Sequence, residues 1–302
     1  MSNSANLRYT IITPARNEED YIEKTIQSVV SQKVLPVKYV IVSDGSTDRT
    51  EEIVEKYLPD NPWLELVRKS GQRTRQFGAK VHCFNTGFEK LSGVDYDVVG
   101  NLDADISFEP DYFEFLMEKF AADPKLGVAG TPFVERDSHY DYRFTNIQHV
   151  SGACQMFRAE CFEEIGRYTP IPGGGIDWVA VTTARMKGWN TRTFTERTCL
   201  HHRPMGTGTS GSLKAILRAG KKDYFLGGGL LWQCFRSLFQ MTRRPYILIG
   251  TLLFAGYLWG LVTRCERPIS DELMKFHRGE QNRRLRQFFA SRIPGLRRRA
   301  VL

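Results

Sequence analysis

Apolar and polar positions alternate in blocks along the first part of the chain. "YTIITP" (9–14) reads as a short buried strand. "NEEDYIEKTIQSVVSQ" sets Ile22, Ile26, Val29 and Val30 at helical spacing, with acidic residues in its first turn. "VKYVIVSDGS" is a second strand running into a turn. "STDRTEEIVEKYL" opens with a Ser/Thr/Asp cap and continues as a helix with Ile53, Val54 and Tyr57 on one face. "LELVRK" is a third strand, "GAKVHCFNTGFEKL" a helix and "YDVVGNLDAD" a fourth strand. This alternation predicts an α/β fold, a mostly parallel sheet with helices on both faces.

Past residue 125 the pattern is less regular. "LGVAGTPFVE" predicts a strand, "SGACQMFRAECFEEIG" a strand leading into a helix, "PIPGGGIDWVAVTTARMKGW" a glycine-rich loop before a helix, and "TRTF" a closing strand. The first domain is expected to cover 1–210, with a different, helical region over 211–302. There "FLGGGLLWQCFRSLFQM" is apolar except for Arg236, and residues 246–263, "YILIGTLLFAGYLWGLVT", carry no charge. Eighteen residues at a helical rise of about 1.5 Å span roughly 27 Å, a borderline length for a bilayer. Arg243 and Arg244 precede the run and Arg264 and Arg267 follow it; basic flanks on both sides fit a simple span poorly. The expectation is of helices lying in, or dipping into, a membrane interface. A buried core hairpin or an oligomer interface is the alternative. The arginines of the tail (Arg283, Arg284, Arg286, Arg292, Arg297, Arg298 and Arg299) favour an anionic lipid surface.

Composition changes this picture little. The 302 residues are ordinary for a globular protein and carry a formal charge of +8, concentrated toward the tail. Such a tail can meet nucleic acid, anionic lipid or an acidic partner. Its neighbour is an apolar, Trp- and Phe-rich segment, not a groove platform, so nucleic acid ranks low among expected partners. None of the six cysteines forms a C-x-x-C pair, so they read as reduced core residues. The start lacks a charged n-region followed by an apolar h-region, and the N-terminal part is expected in the cytoplasm.

The candidate chemistry begins at "NLDADISFEP". Asp103 and Asp105 follow an apolar strand, where open sheets bind ligands beyond the strand ends. Residues i and i+2 of an extended segment point to the same side, so the two carboxylates can share one target. Like charges this close repel unless a proton or cation intervenes. Mg²⁺ or Mn²⁺ takes carboxylates together with phosphate oxygens, so the pair reads as half a metal site completed by a diphosphate. The alternative is a solvated turn. Asp44, at the end of the second strand, suits a base or ribose, or else a plain turn. No G-x-x-x-x-G-K-[ST] is present, and no strand is followed by G-x-G-x-x-G, which argues against a P-loop and a dinucleotide fold.

"IITPARNEEDYIEKTIQSVVSQ", "YVIVSDGSTDRTEEIVEKY", "GAKVHCFNTGF" and "NLDADISFEPDYF", in that order, resemble family 2 glycosyltransferases of the GT-A fold, which is Rossmann-like. The resemblance covers roughly residues 8–205 and is nearest in character to membrane-associated bacterial enzymes of exopolysaccharide and cell-envelope synthesis. It implies nucleotide contacts from Pro14, Arg16 and Glu18, and base binding by Asp44. Lys80 and Asn85 would lie beside the nucleotide, with Asp103 on the nucleotide-sugar and Asp105 as the principal metal ligand. The family's E-D pair before a helix matches at "GGGIDW", where Ile176 replaces the glutamate and Asp177 remains as candidate catalytic base; a helix N-cap is the alternative. In "LHHRPMGTG", His202 is the candidate third metal ligand and Arg203 the candidate partner of the leaving diphosphate. The implied function is a metal-dependent, inverting hexosyl or N-acetylhexosaminyl transfer. The sugar would pass from a nucleotide-diphosphate sugar to a hydroxyl of a lipid-linked saccharide, at the cytoplasmic face of a bacterial inner membrane. A polyprenyl-phosphate sugar synthase and a catalytically inactive scaffold of a polysaccharide assembly complex are the alternatives.

Overall fold

A computed structural model of the chain describes residues 7–70, 77–135, 138–139, 146–171, 173–203, 212–244 and 246–292. The chain divides into two compact units, Met1–Pro204 and Met205–Leu302. The expected boundary at 210 and Arg297, Arg298 and Arg299 of the tail lie outside the described residues.

In the first unit the order begins β1 (Tyr9–Ala15), α1 (Ile22–Val30), β2 (Lys38–Asp44), α2 (Thr50–Glu55), β3 (Leu64–Lys69) and α3 (Phe77–Glu89). It continues with β4 (Val98–Leu102), β5 (Ile106–Ser107), α4 (Tyr112–Ala122), β6 (Leu126–Gly130), β7 (Phe133–Glu135) and β8 (Ser138–His139). It closes with β9 (Cys154–Arg158), α5 (Ala159–Glu164), α6 (Ile176–Met186), β10 (Asn190–Thr193) and β11 (Cys199–His201). The main sheet runs β10-β6-β9-β4-β1-β2-β3. Its strands are parallel except β9, which lies antiparallel to both β4 and β6. A smaller sheet runs β5-β11-β7-β8.

The apolar runs are continuous because the central strands are covered on both faces. Ile11, Tyr39, Ile41, Val98 and Leu102 belong to one core, with Ile22 and Ile26 of α1 and Phe113 and Leu116 of α4. Their neighbours Ile12, Val40, Val42 and Val99 belong to the other, with Val81 and Phe84 of α3, Phe162 of α5 and Val181 of α6. Each such side chain, fully buried, stabilises the fold by roughly 1.5–3 kcal/mol. The predicted single strand at "LGVAGTPFVE" is two, β6 and β7, which belong to different sheets. The helix predicted from "STDRTEEIVEKYL" is short, and its first turn is held by Asp48 Oδ1, which accepts from Thr50 N at 3.0 Å and Thr50 Oγ1 at 2.6 Å.

Strand register makes the crevice. β1 pairs with β4 only as far as Ile12–Asn101, then continues beside β2 to Ala15–Ser43. The carboxyl ends of β1, β2 and β4 therefore open on the same side, and the chain leaves them at Arg16, Asp44 and Asp103. α3 lies close over β1 and β2 because Gly87 lacks a side chain: a Cβ there would sit 2.6 Å from Ile12 Cγ2. Lys80 is seven residues earlier, on the same helix face.

The second unit contains α7 (Ser212–Phe225), α8 (Leu230–Met241), α9 (Leu248–Val262) and α10 (Asp271–Arg292). Among the described residues no helix is long and apolar enough to cross a membrane.

Candidate active site at the carboxyl end of the sheet

Asp103 and Asp105 leave β4 in the turn before β5. The backbone is pinned there by Asp103 N donating to Ala153 O at 2.8 Å and His202 N donating to Asp105 O at 2.8 Å. Lys80 reaches down from α3 and pairs with Asp103 Oδ1. Burial works against the Lys80 ammonium, but Asp103 foremost, then Asp177 and Asp105, hold its pKa above the ordinary lysine value. Asp105 is the more enclosed carboxyl, its side chain 12% exposed. Burial pushes its pKa up, and the charge of Asp103 adds to that; His201, Arg203 and Lys80 partly offset it.

The third group beside the pair is His201, the last residue of β11. Its Nε2 stands 3.6 Å from Asp105 Oδ1 and its Nδ1 3.4 Å from Glu135 Oε1 on β7. One ligand atom from each of Asp103, Asp105 and His201 lies within 4.8 Å of the others. The sequence pointed to His202 for this place; the histidine that lies beside the aspartates is His201. Successive residues at a strand end face opposite sides. His202 turns to Ser107 Oγ at 2.9 Å and stacks on Tyr21, ring centroids 6.3 Å apart. The doubled histidine was legible in the sequence; which of the two faces the aspartates depended on the pairing of β11 between β5 and β7.

The remaining expected residues line the same strand ends. Arg203 bridges Glu18 and Asp105, the latter through Nε at 3.7 Å from Oδ2, and so ties the loop after β1 to the acidic pair. Arg16 Nη1 is 3.6 Å from Asp44 Oδ2. Asp44 is buried at the end of β2 and also accepts a hydrogen bond from Cys83, whose thiol is pushed up to about 11, chiefly by burial and then by the Asp44 charge. Pro14 is half-buried near the end of β1, beyond the last partner on β4. Asn85 is half-buried on α3, and no hydrogen bond joins it to the acidic pair among the described residues.

Asp177 is not a helix cap. The cap position of α6 is Gly175, at φ 105°, after Gly173 and Gly174 at φ 93° and 87°. Three successive left-handed residues are a conformation open to glycine and costly for other residues. They turn the chain into α6 so that Asp177 falls in its first turn. Gly152 leaves room for it: a Cβ there would be 3.2 Å from Asp177 Cβ. His149 Nε2 lies 3.9 Å from Asp177 Oδ2. Ile176, where the family pattern carries glutamate, packs against the second core and brings no charge to the crevice. His149, His201 and Glu135 were not found from the sequence. His149 and Glu135 carry no motif, and only tertiary packing brings them here.

Residues 10–148 match the family model "Glycosyl transferase family 2". This stretch matches a family 2 glycosyltransferase domain. The chain is 30% identical over 143 residues to poly-beta-1,6-N-acetyl-D-glucosamine synthase of Staphylococcus aureus strain MSSA476, covering 47% of this chain and 32% of that protein. It is 29% identical over 122 residues to chondroitin synthase of Pasteurella multocida strain Pm70, covering 40% of this chain and 12% of that one. The chain thus matches about a third of the former relative's length and less of the latter's. The fold is that of solved GT-A glycosyltransferases. The mannosyltransferase PcManGT from Pyrobaculum calidifontis, solved with GDP-Man and Mn²⁺, superposes with a TM-score of 0.57 at 20% identity, over 98% of this chain and 84% of that one. S. aureus TarS 1–349 with UDP-GlcNAc gives 0.56 at 13% identity, over 90% and 78%.

This donor set suits a divalent cation. Two carboxylates are held together against their mutual repulsion, one of them buried with its pKa raised, and an imidazole nitrogen completes the group.

Proposed function

We propose that the chain transfers a hexosyl or N-acetylhexosaminyl group, with inversion, from a nucleotide-diphosphate sugar to a hydroxyl of a lipid-linked saccharide. The product belongs to an exopolysaccharide or cell-envelope glycan. The observation that carries this reading is the convergence of Asp103, Asp105 and His201 at the end of β4, the two aspartates lying within the stretch that matches family 2. The names of the relatives support a polysaccharide product, and the nucleotide sugars in the two solved neighbours support the donor class.

Asp103, Asp105 and His201 would hold Mg²⁺ or Mn²⁺. The imidazole favours Mn²⁺, because Mg²⁺ prefers oxygen ligands. When bound, such an ion neutralises charge on the leaving diphosphate. Glu135 Oε1, 3.4 Å from His201 Nδ1, favours a proton on that nitrogen and so leaves Nε2 to face the aspartates. Asp44 and Arg16 receive the nucleoside end. Lys80 and Arg203 supply positive charge beside the diphosphate. Asp177 takes the proton of the acceptor hydroxyl. That oxygen bonds to the anomeric carbon as the bond from this carbon to the phosphate oxygen breaks, and the electron pair leaves with the nucleoside diphosphate. A polyprenyl phosphate, already an anion, would need no such base.

The test is a panel of nucleotide sugars incubated with the full chain and Mn²⁺ or Mg²⁺, followed by release of nucleoside diphosphate. Release is expected from at least one donor, stimulated by a saccharide acceptor and abolished by EDTA and by Asp105→Asn. No release from any donor, or release indifferent to EDTA, overturns the proposal.

A further inference from the structure

In a helix packed in water, large apolar side chains face the neighbouring elements and polar ones face solvent. α9 departs from that rule. Its buried residues are Gly250, Leu253, Gly256, Tyr257 and Gly260. A Cβ on Gly250 would stand 2.2 Å from Ser237 O of α8, and one on Gly256 2.0 Å from Leu217 O of α7. Reciprocally, a Cβ on Gly220 of α7 would stand 2.0 Å from Leu253 O. The helices therefore meet backbone to backbone, a mode of packing suited to apolar surroundings. With glycine dominating the inward face, side-chain bulk goes outward. Leu248, Thr251, Ala255, Trp259 and Val262, at spacings of three and four, form an exposed stripe without a charge. Trp259 is 61% exposed and Val262 78%.

The chain entering the helix extends the stripe. Tyr246 and Ile247 are both exposed, and Ile247 stands at φ 66°, a left-handed conformation that β-branched residues avoid. Arg243 and Arg244 before the stripe and Arg264 after it are exposed. Residues 205–302 as a whole hold 18 Lys and Arg against 5 Asp and Glu.

These features identify the occupant. At about 1.5 Å per residue, the 15 residues of α9 reach roughly 22 Å, short of a hydrocarbon core of about 30 Å. The helix is too short to cross and suited to lie along a surface. An apolar stripe with cations at its ends matches a headgroup boundary, where the stripe enters and the arginines reach lipid phosphates. A second copy would bring two strongly basic units together. Single-stranded nucleic acid calls for several aromatics interleaved with basic residues, whereas the cations here stand at the ends of a stripe whose helical part has one aromatic.

We propose that the outward face of α9, with Arg243, Arg244 and Arg264, docks the second unit on an anionic lipid surface. The proposal concerns this unit alone and does not depend on the reaction assigned to the first.

The test uses the full chain with vesicles of phosphatidylcholine, with and without phosphatidylglycerol. Co-flotation is expected only with phosphatidylglycerol, and it should fall with salt. An arginine near an anionic surface contributes roughly fivefold in partitioning, so replacing Arg243, Arg244 and Arg264 together by Ala should weaken it about 10²-fold. Trp259→Glu should weaken it as well, with the far-UV circular dichroism unchanged. Should that variant fail to fold, Trp259→Phe serves: quenching of tryptophan fluorescence by lipids brominated near the headgroup should largely disappear. Absence of binding to the anionic vesicles overturns the proposal. So does binding that RNA competes away, or a dimer that Trp259→Glu dissociates.

Discussion

The sharpest prediction separates two adjacent histidines. His201→Ala removes the imidazole whose Nε2 lies 3.6 Å from Asp105 and which completes the group within 4.8 Å. His202→Ala removes a hydrogen bond to Ser107 and a stack on Tyr21. Changing a residue that only orients a metal ligand costs 10–100-fold in affinity. Loss of a ligand itself is expected at or above the top of that range, about 10²-fold or roughly 2.7 kcal/mol. Glu135→Ala, acting on the ion through His201, should cost about tenfold. His202→Ala should leave Mn²⁺ affinity within roughly threefold, a margin below that range. Its cost falls instead on stability, about 1 kcal/mol for the hydrogen bond and a similar amount for the ring stack. In a domain of this size that lowers Tm by roughly 4–8 °C. The assay is the loss of the free Mn²⁺ electron paramagnetic resonance signal on titrating the full chain without donor, beside a thermal melt. If His202→Ala abolishes Mn²⁺ binding while His201→Ala preserves it, the site as built here is wrong.

Three further outcomes are expected. Asp177→Asn should lower turnover by about 10²–10⁴-fold without changing Mn²⁺ affinity or donor KM, and an undiminished rate would dismiss Asp177 as the base. In EDTA, Asp105 holds its proton more tightly folded than unfolded, so its ionised form costs stability above the raised pKa and the cost is relieved as pH falls through it. Urea unfolding should therefore show Asp105→Asn gaining on the wild type at pH 7 more than at about pH 3.5, below the ordinary aspartate value; an equal difference at both refutes the burial argument. Gly256→Ala should destabilise the second unit by about 1–3 kcal/mol, because its Cβ meets the backbone oxygen of Leu217. Gly100→Ala should cost less, since its Cβ at 2.3 Å meets Met156 Sδ, part of a flexible side chain; melts of the two variants decide.

Much of the crevice is written locally. Apolar runs covered on both faces become parallel strands, and carboxylates placed just past such runs fall at strand ends by construction. Asp44, Asp103 and Asp105 were therefore legible from their neighbours in the chain. Asp177 was reached only through the resemblance to the family's E-D pattern, and the three left-handed glycines before α6 are what turn the chain so that it falls in the first helical turn. What the sequence could not fix was facing and partnership. Whether His201 or His202 joins the aspartates depends on how a three-residue strand pairs between β5 and β7, a register decided by contacts more than 60 residues apart in the chain. Glu135 and His149 carry no local signal, because a lone charged or aromatic polar residue gains a role only from what the fold sets beside it. The charge-free run at 246–263 announced an apolar helix from composition alone. Only the packing of Gly220, Gly250 and Gly256 against neighbouring backbones decided which side faces inward, because a hydrophobic pattern records what must leave water and not which neighbour leaves it room.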